Sequence, residues 1–285
     1  MLRNDKRTGK LLKPFALDNA VAALLCLVLP AVAVLFAGCA SGPRAPAVAP
    51  DPAVLRVGVC PNSPPMIFKE GGRITGVEAD LAQALGQDLG RRVVFVEEKW
   101  ENLLDALEGN QFDIIMSSMT ITAGRRYRVT FTEPYLQMGQ LALCRSSERY
   151  AYLLNLATQA KRGVGVKKDT TGDLLVRNLF PTLKKKYYKN GDAAAAALLD
   201  HDIDLYISDA PMIYRLASLN EAKGLSIVPL ILSHEELGWA VLRTNTQLLD
   251  AANAFLRKAQ ASGELRRVYN RWMPGFEENL AAPQR

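Results

Sequence analysis

Short apolar-rich runs alternate with segments of helical periodicity along most of the chain. The run 54–59 is followed by apolar positions three and four residues apart over 77–89, then by a second run at 93–96 and a second helical segment at 100–108. Short apolar runs predict buried strands, and spacing near 3.6 residues predicts amphipathic helices. Strands that alternate with helices predict parallel pairing and an α/β fold.

A second series of the same kind begins near residue 140, after a further predicted strand at 112–116. Its predicted strands are 140–144, 163–166, 187–188, 204–207 and 225–228, with helices from 171, over 192–200 and over 210–222. The chain then continues with a predicted strand over 237–242 and helices over 246–261 and 263–272. Two series of modest size predict two lobes.

The N-terminal segment has the composition of a targeting signal. Five basic residues precede residue 14, and residues 20–37 are apolar and uncharged. A basic region, an apolar region and a small-residue exit predict an export signal over 1–38. The apolar stretch is close to the length that spans a bilayer, so a retained transmembrane anchor is the alternative.

The run Leu-Phe-Ala-Gly-Cys that ends at Cys39 resembles a bacterial lipobox. The resemblance implies that Cys39 is acylated and becomes the mature N-terminus, although Phe36 stands where the pattern usually has Leu. Ordinary cleavage or an uncleaved anchor are the alternatives. Residues 39–52 are rich in Pro, Ala and Gly, which predicts a flexible, lipid-anchored tether. We therefore expect a periplasmic protein anchored to a membrane.

The charge balance argues against a nucleic-acid partner. The formal net charge is +6, and the first 38 residues contribute half of it through five Lys/Arg against two Asp/Glu. A nucleic-acid-binding chain usually shows a clustered basic face. The short run 184–186 is interpreted as a solvated edge.

Few residues in the body suggest metal, redox or cofactor chemistry. The run His234-Glu235-Glu236 lacks the second His of a metalloprotease helix, and no phosphate-loop glycine pattern occurs. No cofactor is expected. Cys60 and Cys144 both follow or lie in predicted core strands, so they form either one disulfide or two buried free thiols.

One run is specific enough to suggest a family. The run 113–126, Asp-Ile-Ile-Met-Ser-Ser-Met-Thr-Ile-Thr-Ala-Gly-Arg-Arg, resembles the signature of the solute-binding proteins, family 3, the polar-amino-acid receptors of ABC importers. Further similar runs lie at 76–81, 131–135, 165–171 and 204–209, with Gly263, Tyr269 and Trp272 near the end. The resemblance covers about residues 53–274.

The resemblance implies a two-lobed α/β fold of the type II periplasmic-binding-protein class with two hinge strands. Lobe 1 would comprise 53–143 and 231–285, and lobe 2 would comprise 144–230, with hinges near 140–145 and 229–237. It also implies a monomeric receptor that closes on a small polar solute, an amino acid, and delivers it to an ABC permease in the inner membrane.

Two other functions stay open. Some relatives of this fold are cyclohexadienyl dehydratases, and a periplasmic enzyme of that kind would need an acid or base such as Glu78 or Asp209. A sensory receptor that does not serve transport would share the same site and differ only in its partner.

The signature run supplies groups that suit a carboxylate. Arg125 can bind one through two parallel hydrogen bonds. Ser117, Ser118 and Thr120 follow a predicted strand end, where open α/β sheets place their ligands. The resemblance implies that Arg125, Ser118 and Thr120 bind the solute. The alternative is a surface arginine that braces its own loop, and Arg126 is expected to face solvent.

Two strand-to-helix junctions supply the opposite side of the site. Thr170 and Thr171 precede a helix, so they either cap it or present its free N–H groups to an anion. Asp209 ends a strand and starts a helix. The resemblance implies that it binds the ammonium of the solute, and simple helix capping is the alternative.

The side-chain pocket departs from the family pattern. Trp100 matches a position that often packs on the ligand, with core packing as the alternative. Ser63 stands where many relatives have an aromatic residue. Asp169 stands where the family commonly has Gly, and it is expected to crowd or repel a carboxylate. Glu78 is expected either to face the cleft or to form a solvated helix start.

Overall fold

The computed structural model describes residues 51–156 and 160–276. The export signal predicted over 1–38, the predicted lipidation site Cys39 and residues 40–50 of the tether lie outside these described residues. Among the helices that are described, none is both long and apolar enough to cross a lipid bilayer.

The described residues form a mixed set of strands and helices, as predicted. The strands are β1 (Val54–Val59), β2 (Asn62–Ser63), β3 (Ile67–Glu70), β4 (Arg73–Thr75), β5 (Arg92–Glu97), β6 (Ile114–Ile115), β7 (Thr130–Phe131), β8 (Leu136–Met138), β9 (Gln140–Arg145), β10 (Val164–Val166), β11 (Lys185–Tyr187), β12 (Leu205–Asp209), β13 (Leu225–Val228), β14 (Glu235–Leu237) and β15 (Ala240–Val241). The helices are α1 (Val77–Asp88), α2 (Leu103–Glu108), α3 (Ala123–Arg126), α4 (Arg149–Leu154), α5 (Thr171–Leu179), α6 (Gly191–Leu199), α7 (Ala210–Asn220), α8 (Thr246–Ala261) and α9 (Glu264–Trp272).

The first sheet contains β5, β1, β6, β15 and β7 in that spatial order. β1 runs parallel to both of its neighbours, because helices α1 and α2 lie in the crossover connections. The carboxyl ends of β5, β1 and β6 therefore share one edge of the sheet. β15 is antiparallel to β6 and β7. Helices α8 and α9 contact α1, so segments from both ends of the described chain surround this sheet.

The second sheet contains β11, β10, β12, β9 and β13 in that order. β10 is parallel to β11 and β12, and β9 is antiparallel to β12 and β13. Leu141 of β9 belongs to one hydrophobic cluster with Ile213 of α7, whereas Ala142 belongs to another cluster with Val176 of α5. Both faces of this strand are covered, which is why its sequence is apolar at nearly every position.

Two short strands carry the chain between the regions of the two sheets. β8 directly precedes β9, and β14 follows β13; they pair antiparallel with Leu136 opposite Leu237. We call β8 and β14 the crossing pair. At its end, a Cβ atom on Gly139 would lie 2.1 Å from the carbonyl oxygen of Ser233. A glycine is required there because a side chain would collide with the backbone of the returning segment.

One strand prediction is wrong. The run 237–242 was predicted to be a single strand, but β14 ends before Gly238 and β15 begins after Trp239. The amide of Gly238 donates to the carbonyl oxygen of Met119 at 3.2 Å, and the amide of Trp239 donates to Oγ1 of Thr132 at 3.0 Å. These bonds to neighbouring loops take the place of a strand ladder, and an apolar run does not reveal them.

The two cysteines within the described residues are free thiols. Cys60 follows β1 of the first sheet and Cys144 lies in β9 of the second, and both are buried. Burial raises the pKa of both thiols, that of Cys144 to about 12. Of the two alternatives for these residues, the pair of buried free thiols is confirmed.

Candidate functional site

Strand ends from both sheets meet around one small cavity. Ser117 follows β6, Lys167 follows β10 and Asp209 ends β12. The cavity has a volume of about 40 Å³. Pockets that enclose small molecules usually have roughly 300–1,000 Å³. The structure therefore represents a closed arrangement of the site, which has to open before a solute can enter.

The structure brings all nine residues predicted for the ligand site to this cavity. They are Ser63, Trp100, Ser117, Ser118, Thr120, Arg125, Thr170, Thr171 and Asp209. Gln140, Lys167 and Ser208 also line it and were not predicted. Lys167 follows β10 just as Ser117 follows β6, so the rule that ligands lie at strand ends could have found it. Gln140 and Ser208 lie within strands, and no sequence signal distinguishes them.

Arg125 both braces its own loop and lies at the cavity. It belongs to the four-residue helix α3, and its amide donates to Oγ1 of the capping residue Thr122 at 3.2 Å. Its Nη1 donates to the carbonyl oxygen of Thr120 at 2.8 Å. Burial lowers the pKa of Arg125, and the negative charges of Asp209 and Glu235 oppose that shift. Four further N–H donors of the guanidinium are left for other acceptors.

Ser118 is held in an uncommon backbone conformation by a buried carboxylic acid. Its φ is +53°, in the left-handed region that non-glycine residues rarely adopt. Its amide donates to Glu78 Oε2 at 2.5 Å, and Tyr135 donates its hydroxyl to Glu78 Oε1 at 2.6 Å. The neighbouring Ser117 accepts at Oγ from the amide of Cys60 at 2.9 Å. These bonds fix the loop after β6.

The expectation for Glu78 is therefore wrong. Its side chain neither lines the cleft nor forms a solvated helix start, since none of it is exposed to solvent. Burial raises its pKa to about 7, although the hydrogen bonds from Tyr135 and Ser118 lower it in part. A polar residue in the first turn of a helix is normally interpreted as exposed, and only the tertiary contacts show otherwise.

A carboxylate joins the two threonines that face each other across the site. Thr120 and Thr171 both donate their hydroxyls to Oε2 of Glu235 at 2.8 Å, and Ser233 donates to Oε1 of Glu235 at 2.8 Å. The two threonine hydroxyls lie 3.5 Å apart. Thr120 belongs to the loop that follows β6, and Thr171 begins α5, which contacts the second sheet. Glu235 therefore connects both sides in the closed arrangement.

Thr170 has the capping role considered for it. Its Oγ1 accepts from the amide of Asp173 at 3.3 Å and donates to the carbonyl oxygen of Lys167 at 2.7 Å. Asp169, just before it, has a φ of +59°. That conformation explains why glycine suits the position. The side chain of Asp169 is 56% exposed, so the expected crowding of a carboxylate is not what the structure shows.

Asp209 stands at the N-cap position of α7 but does not cap it with its side chain. Its Oδ1 accepts instead from Nε2 of Gln140 at 2.6 Å. Burial raises the pKa of Asp209 to about 6, the charge of Glu235 raises it further, and Gln140, Lys167 and Arg125 lower it. The alternative of simple helix capping by Asp209 is therefore wrong. Asp209 lines the cavity instead.

Two cations lie near the ring of Trp100. The Arg125 guanidinium carbon is 5.2 Å and the Lys167 Nζ 5.3 Å from the centroid of its ring. Its Nε1 donates to the carbonyl oxygen of Asp169 at 3.0 Å, so the indole links the region after β5 with the region after β10. Ser63, at the end of β2, lines the cavity beside it without an aromatic ring.

A larger groove adjoins the cavity but has the wrong charge for a carboxylate. It has a volume of about 720 Å³ and shares Thr120 and Thr171 with the cavity. Its described lining includes Glu235, Glu236 and His234 but neither Lys nor Arg. A buried anion needs a cation or several hydrogen-bond donors. The cavity with Arg125 is therefore the better candidate site.

The family follows from comparison with known proteins. The chain belongs to the bacterial extracellular solute-binding proteins, family 3, whose profile matches residues 55–275. The arginine-binding periplasmic protein of Mannheimia haemolytica is 26% identical over 221 residues, which cover 75% of this chain and 89% of that protein. The predicted family is thus confirmed.

Two solved structures are similar in fold. A binding component of an ABC transporter from Wolinella succinogenes, complexed with lysine, is 28% identical, covers 79% of this chain and 97% of that chain, and has a TM-score of 0.73. An ancestral amino-acid-binding protein, a precursor of cyclohexadienyl dehydratase, is 30% identical, with coverages of 77% and 95% and a TM-score of 0.69. The predicted two-lobed type II fold is confirmed, and these relatives are binding proteins.

Proposed function

We propose that the chain is an extracytoplasmic receptor that captures an α-amino acid in the cavity and presents it to the permease of an ABC importer. The observation that carries the proposal is the meeting of Arg125 and Asp209 in one cavity with hydroxyl groups at the strand ends. An α-amino acid has a carboxylate and an ammonium, and each needs an opposite charge or hydrogen bonds once it leaves water.

The carboxylate would be bound by Arg125 and the two threonines. The guanidinium keeps free donors after its bond to the backbone at Thr120. The hydroxyls of Thr120 and Thr171 are engaged by Glu235 in the closed structure. A hydroxyl hydrogen rotates easily, so a solute carboxylate can compete with Glu235 for the same two donors.

The ammonium would be bound by Asp209. A cation beside this carboxyl group favours its ionised form and so lowers its pKa from about 6. Gln140 already orients Oδ1 through its amide, which fixes the direction of the second carboxylate oxygen. Opposite charges at Arg125 and Asp209 thus orient a zwitterion across the cavity.

Closure would occur about the crossing pair. Under the proposal, lobe 1 comprises 53–143 and 231–285 and lobe 2 comprises 144–230. β9 begins at Gln140 and belongs to the second sheet, so the sheet of lobe 2 begins four residues before the boundary at residue 144. A solute that contacts both lobes stabilises the closed form and shifts the population toward it. The permease would recognise that form.

The proposed receptor has no catalytic step. Glu78, one of two groups considered as an acid or base, is fully buried behind Ser118. A group that acts on a bound solute has to reach it within hydrogen-bond distance. The second group, Asp209, is used for the ammonium in this proposal.

The location in the cell also belongs to the proposal. Acylation of Cys39 would hold the mature chain on a membrane, with residues 40–52 as a tether to a monomeric body. Two acyl chains give stable anchoring, whereas a single chain gives only reversible binding.

Binding measurements with two neighbouring arginine variants test the function. The full chain, purified in a mild detergent, is titrated with each of the common L-amino acids, and its melting temperature is measured. A solute present at about 100 times its Kd should raise the melting temperature by roughly 5–10 °C. In Arg125→Ala the affinity should fall at least about 30-fold, because truncating one partner of a buried ion pair is costly.

Arg126→Ala is the matched control, because Arg126 is exposed and follows directly in the chain. It should bind as the unaltered protein does. Equal affinity of the Arg125→Ala variant would show that the carboxylate is bound elsewhere. If no amino acid raised the melting temperature, the proposed function as a whole would be rejected.

A further inference from the structure

The described residues that line the cavity include one cation more than a simple zwitterion needs. Two cations, Arg125 and Lys167, line it together with one carboxylate, Asp209. Glu235 lies at the margin, where it already accepts hydrogen bonds from three hydroxyl groups. If the solute carboxylate is bound by Arg125 and its ammonium by Asp209, Lys167 is the one charged side chain of the described cavity lining that meets no charged group of the solute.

Lys167 is held in place by neutral groups. Its Nζ donates to Oδ1 of Asn62 at 2.6 Å and lies 4.0 Å from Sγ of Cys60. Within residues 51–156 and 160–276, no carboxylate lies within ion-pair distance of this nitrogen. Burial lowers the pKa of Lys167, while the more distant charges of Asp209 and Glu101 raise it. The ammonium is thus oriented and partly desolvated, and it has hydrogen-bonding capacity left.

Lys167 also lies close to the group that anchors the solute in the proposed function. The Arg125 guanidinium carbon and the Lys167 Nζ are 5.2 Å and 5.3 Å from the same ring centroid, that of Trp100. A solute bound at Arg125 by its carboxylate therefore has the Lys167 ammonium nearby in the same cavity. A cationic side chain directed there would meet a like charge, which disfavours binding.

We propose that Lys167 selects a solute with an anionic side chain, so that the receptor binds an acidic amino acid, a dicarboxylate with one ammonium. The proposal rests on the function proposed above and gives its substrate class. It sets this chain apart from similar proteins that are named for arginine or complexed with lysine. A neutral amide side chain offers an oxygen to Lys167 but no charge, so it binds less tightly.

The test compares four solutes and two lysine variants. Affinities of the full chain in detergent are measured by calorimetry for glutamate, aspartate, glutamine and arginine. Glutamate or aspartate should bind at least about 10-fold more tightly than glutamine and at least about 100-fold more tightly than arginine. Lys167→Met should lower the affinity for the acidic amino acid at least about 30-fold, as expected for a desolvated charge pair. Its affinity for glutamine should change less than about 5-fold.

Lys168→Met is the matched control. The side chain of Lys168 is 69% exposed, and it is the next residue in the chain. Its affinities should stay within about 2-fold of the unaltered protein. Melting temperatures without solute establish that both variants are folded, and Lys167→Gln serves in place of Lys167→Met if the latter is not.

The outcomes separate this proposal from the proposed function. Tighter binding of arginine than of glutamate, lost in Arg125→Ala, would keep the receptor and overturn the role of Lys167. An unchanged glutamate affinity in Lys167→Met would also overturn the role of Lys167 and leave the receptor function in place. No binding of any amino acid would overturn both proposals.

Discussion

Glu78 is a carboxylic acid that takes part in the site without reaching the cavity. It accepts hydrogen bonds from the Ser118 amide and the Tyr135 hydroxyl, and no part of it is exposed. These contacts hold Ser118 at a positive φ. Because burial disfavours the ionised form, the raised pKa of Glu78 links the stability of the fold to pH.

The variant Glu78→Gln should show that link. The pKa of Glu78 is about 7 in the folded chain and near 4.5 when exposed. Between these values the folded state keeps a proton that the unfolded state releases, so the free energy of unfolding falls as pH rises. From pH 4.5 to 7.5 the unaltered protein should lose up to about 3 kcal/mol relative to Glu78→Gln. Urea unfolding at several pH values measures the difference.

An exposed carboxylate provides the control for this experiment. Glu70→Gln, in β3, should follow the unaltered protein at every pH, because its side chain is solvated. A constant difference between Glu78→Gln and the unaltered protein would mean that Glu78 does not titrate in this range.

At the residue scale the site was largely predictable from the family resemblance together with the strand-end rule. That rule found Ser117, the resemblance supplied Asp209, and Lys167 obeys the rule equally. Gln140 was not predictable, because a polar residue inside a buried strand reveals its role only through contacts. The burial of Glu78 could not be inferred either, since acidic residues in a first helical turn are usually solvated.

At the scale of elements, the crossing pair depends on one glycine. A Cβ on Gly139 would lie 2.1 Å from a backbone oxygen of the returning segment at Ser233. Backbone atoms cannot rotate away as the end of a flexible side chain can. The close approach of the two segments is therefore possible only because position 139 has no side chain.

Gly139→Ala should accordingly destabilise the fold by about 3 kcal/mol, in the range of overpacked core positions. Gly124→Ala is the control, because a Cβ there meets nothing within 4 Å and the residue lies in helix α3. That change should be neutral or stabilise by up to about 1 kcal/mol. Chemical unfolding of the two variants compares them, and similar free energies would mean that the crossing segments separate at little cost.

Most strands of the two five-stranded sheets and most of the longer helices were predicted, because helical spacing and buried apolar runs are clear in the sequence, as for α1 and β9. The short elements β2, β3, β4, β7, β8 and α4 were not predicted. The prediction for the run 237–242 was wrong, because loop contacts interrupt the strand at Gly238 and Trp239. β11 was also placed two residues too late, since a short edge strand carries little apolar signal.

At the scale of the whole molecule, Glu235 is the group that connects the two sides of the cleft. It lies in the crossing pair and accepts from Thr120 on one side and Thr171 on the other. Each hydrogen bond to a charged group contributes about 1.5–3 kcal/mol. The closed arrangement is therefore stabilised by the protein's own side chains.

Removing this carboxylate should shift the ligand-free protein toward an open form. Glu235→Ala is expected to have a larger radius of gyration by small-angle scattering than the unaltered protein. Glu236→Ala is the control, because within residues 51–156 and 160–276 that neighbouring side chain has a single hydrogen-bond contact, from Gln137 at 3.5 Å. Identical scattering from the unaltered protein and Glu235→Ala would show that Glu235 does not hold the cleft closed.

The position of β15 has a consequence for how the chain folds. This strand, residues 240 and 241, lies between β6 and β7 in the first sheet, yet it follows the whole second sheet in sequence. During synthesis the chain emerges N-terminus first, so the second sheet can form from one contiguous segment, residues 140–228. The first sheet can be completed only after that segment and β15 have been synthesised. Contacts over such sequence separations form slowly, so the second sheet should order first and the first sheet should set the rate.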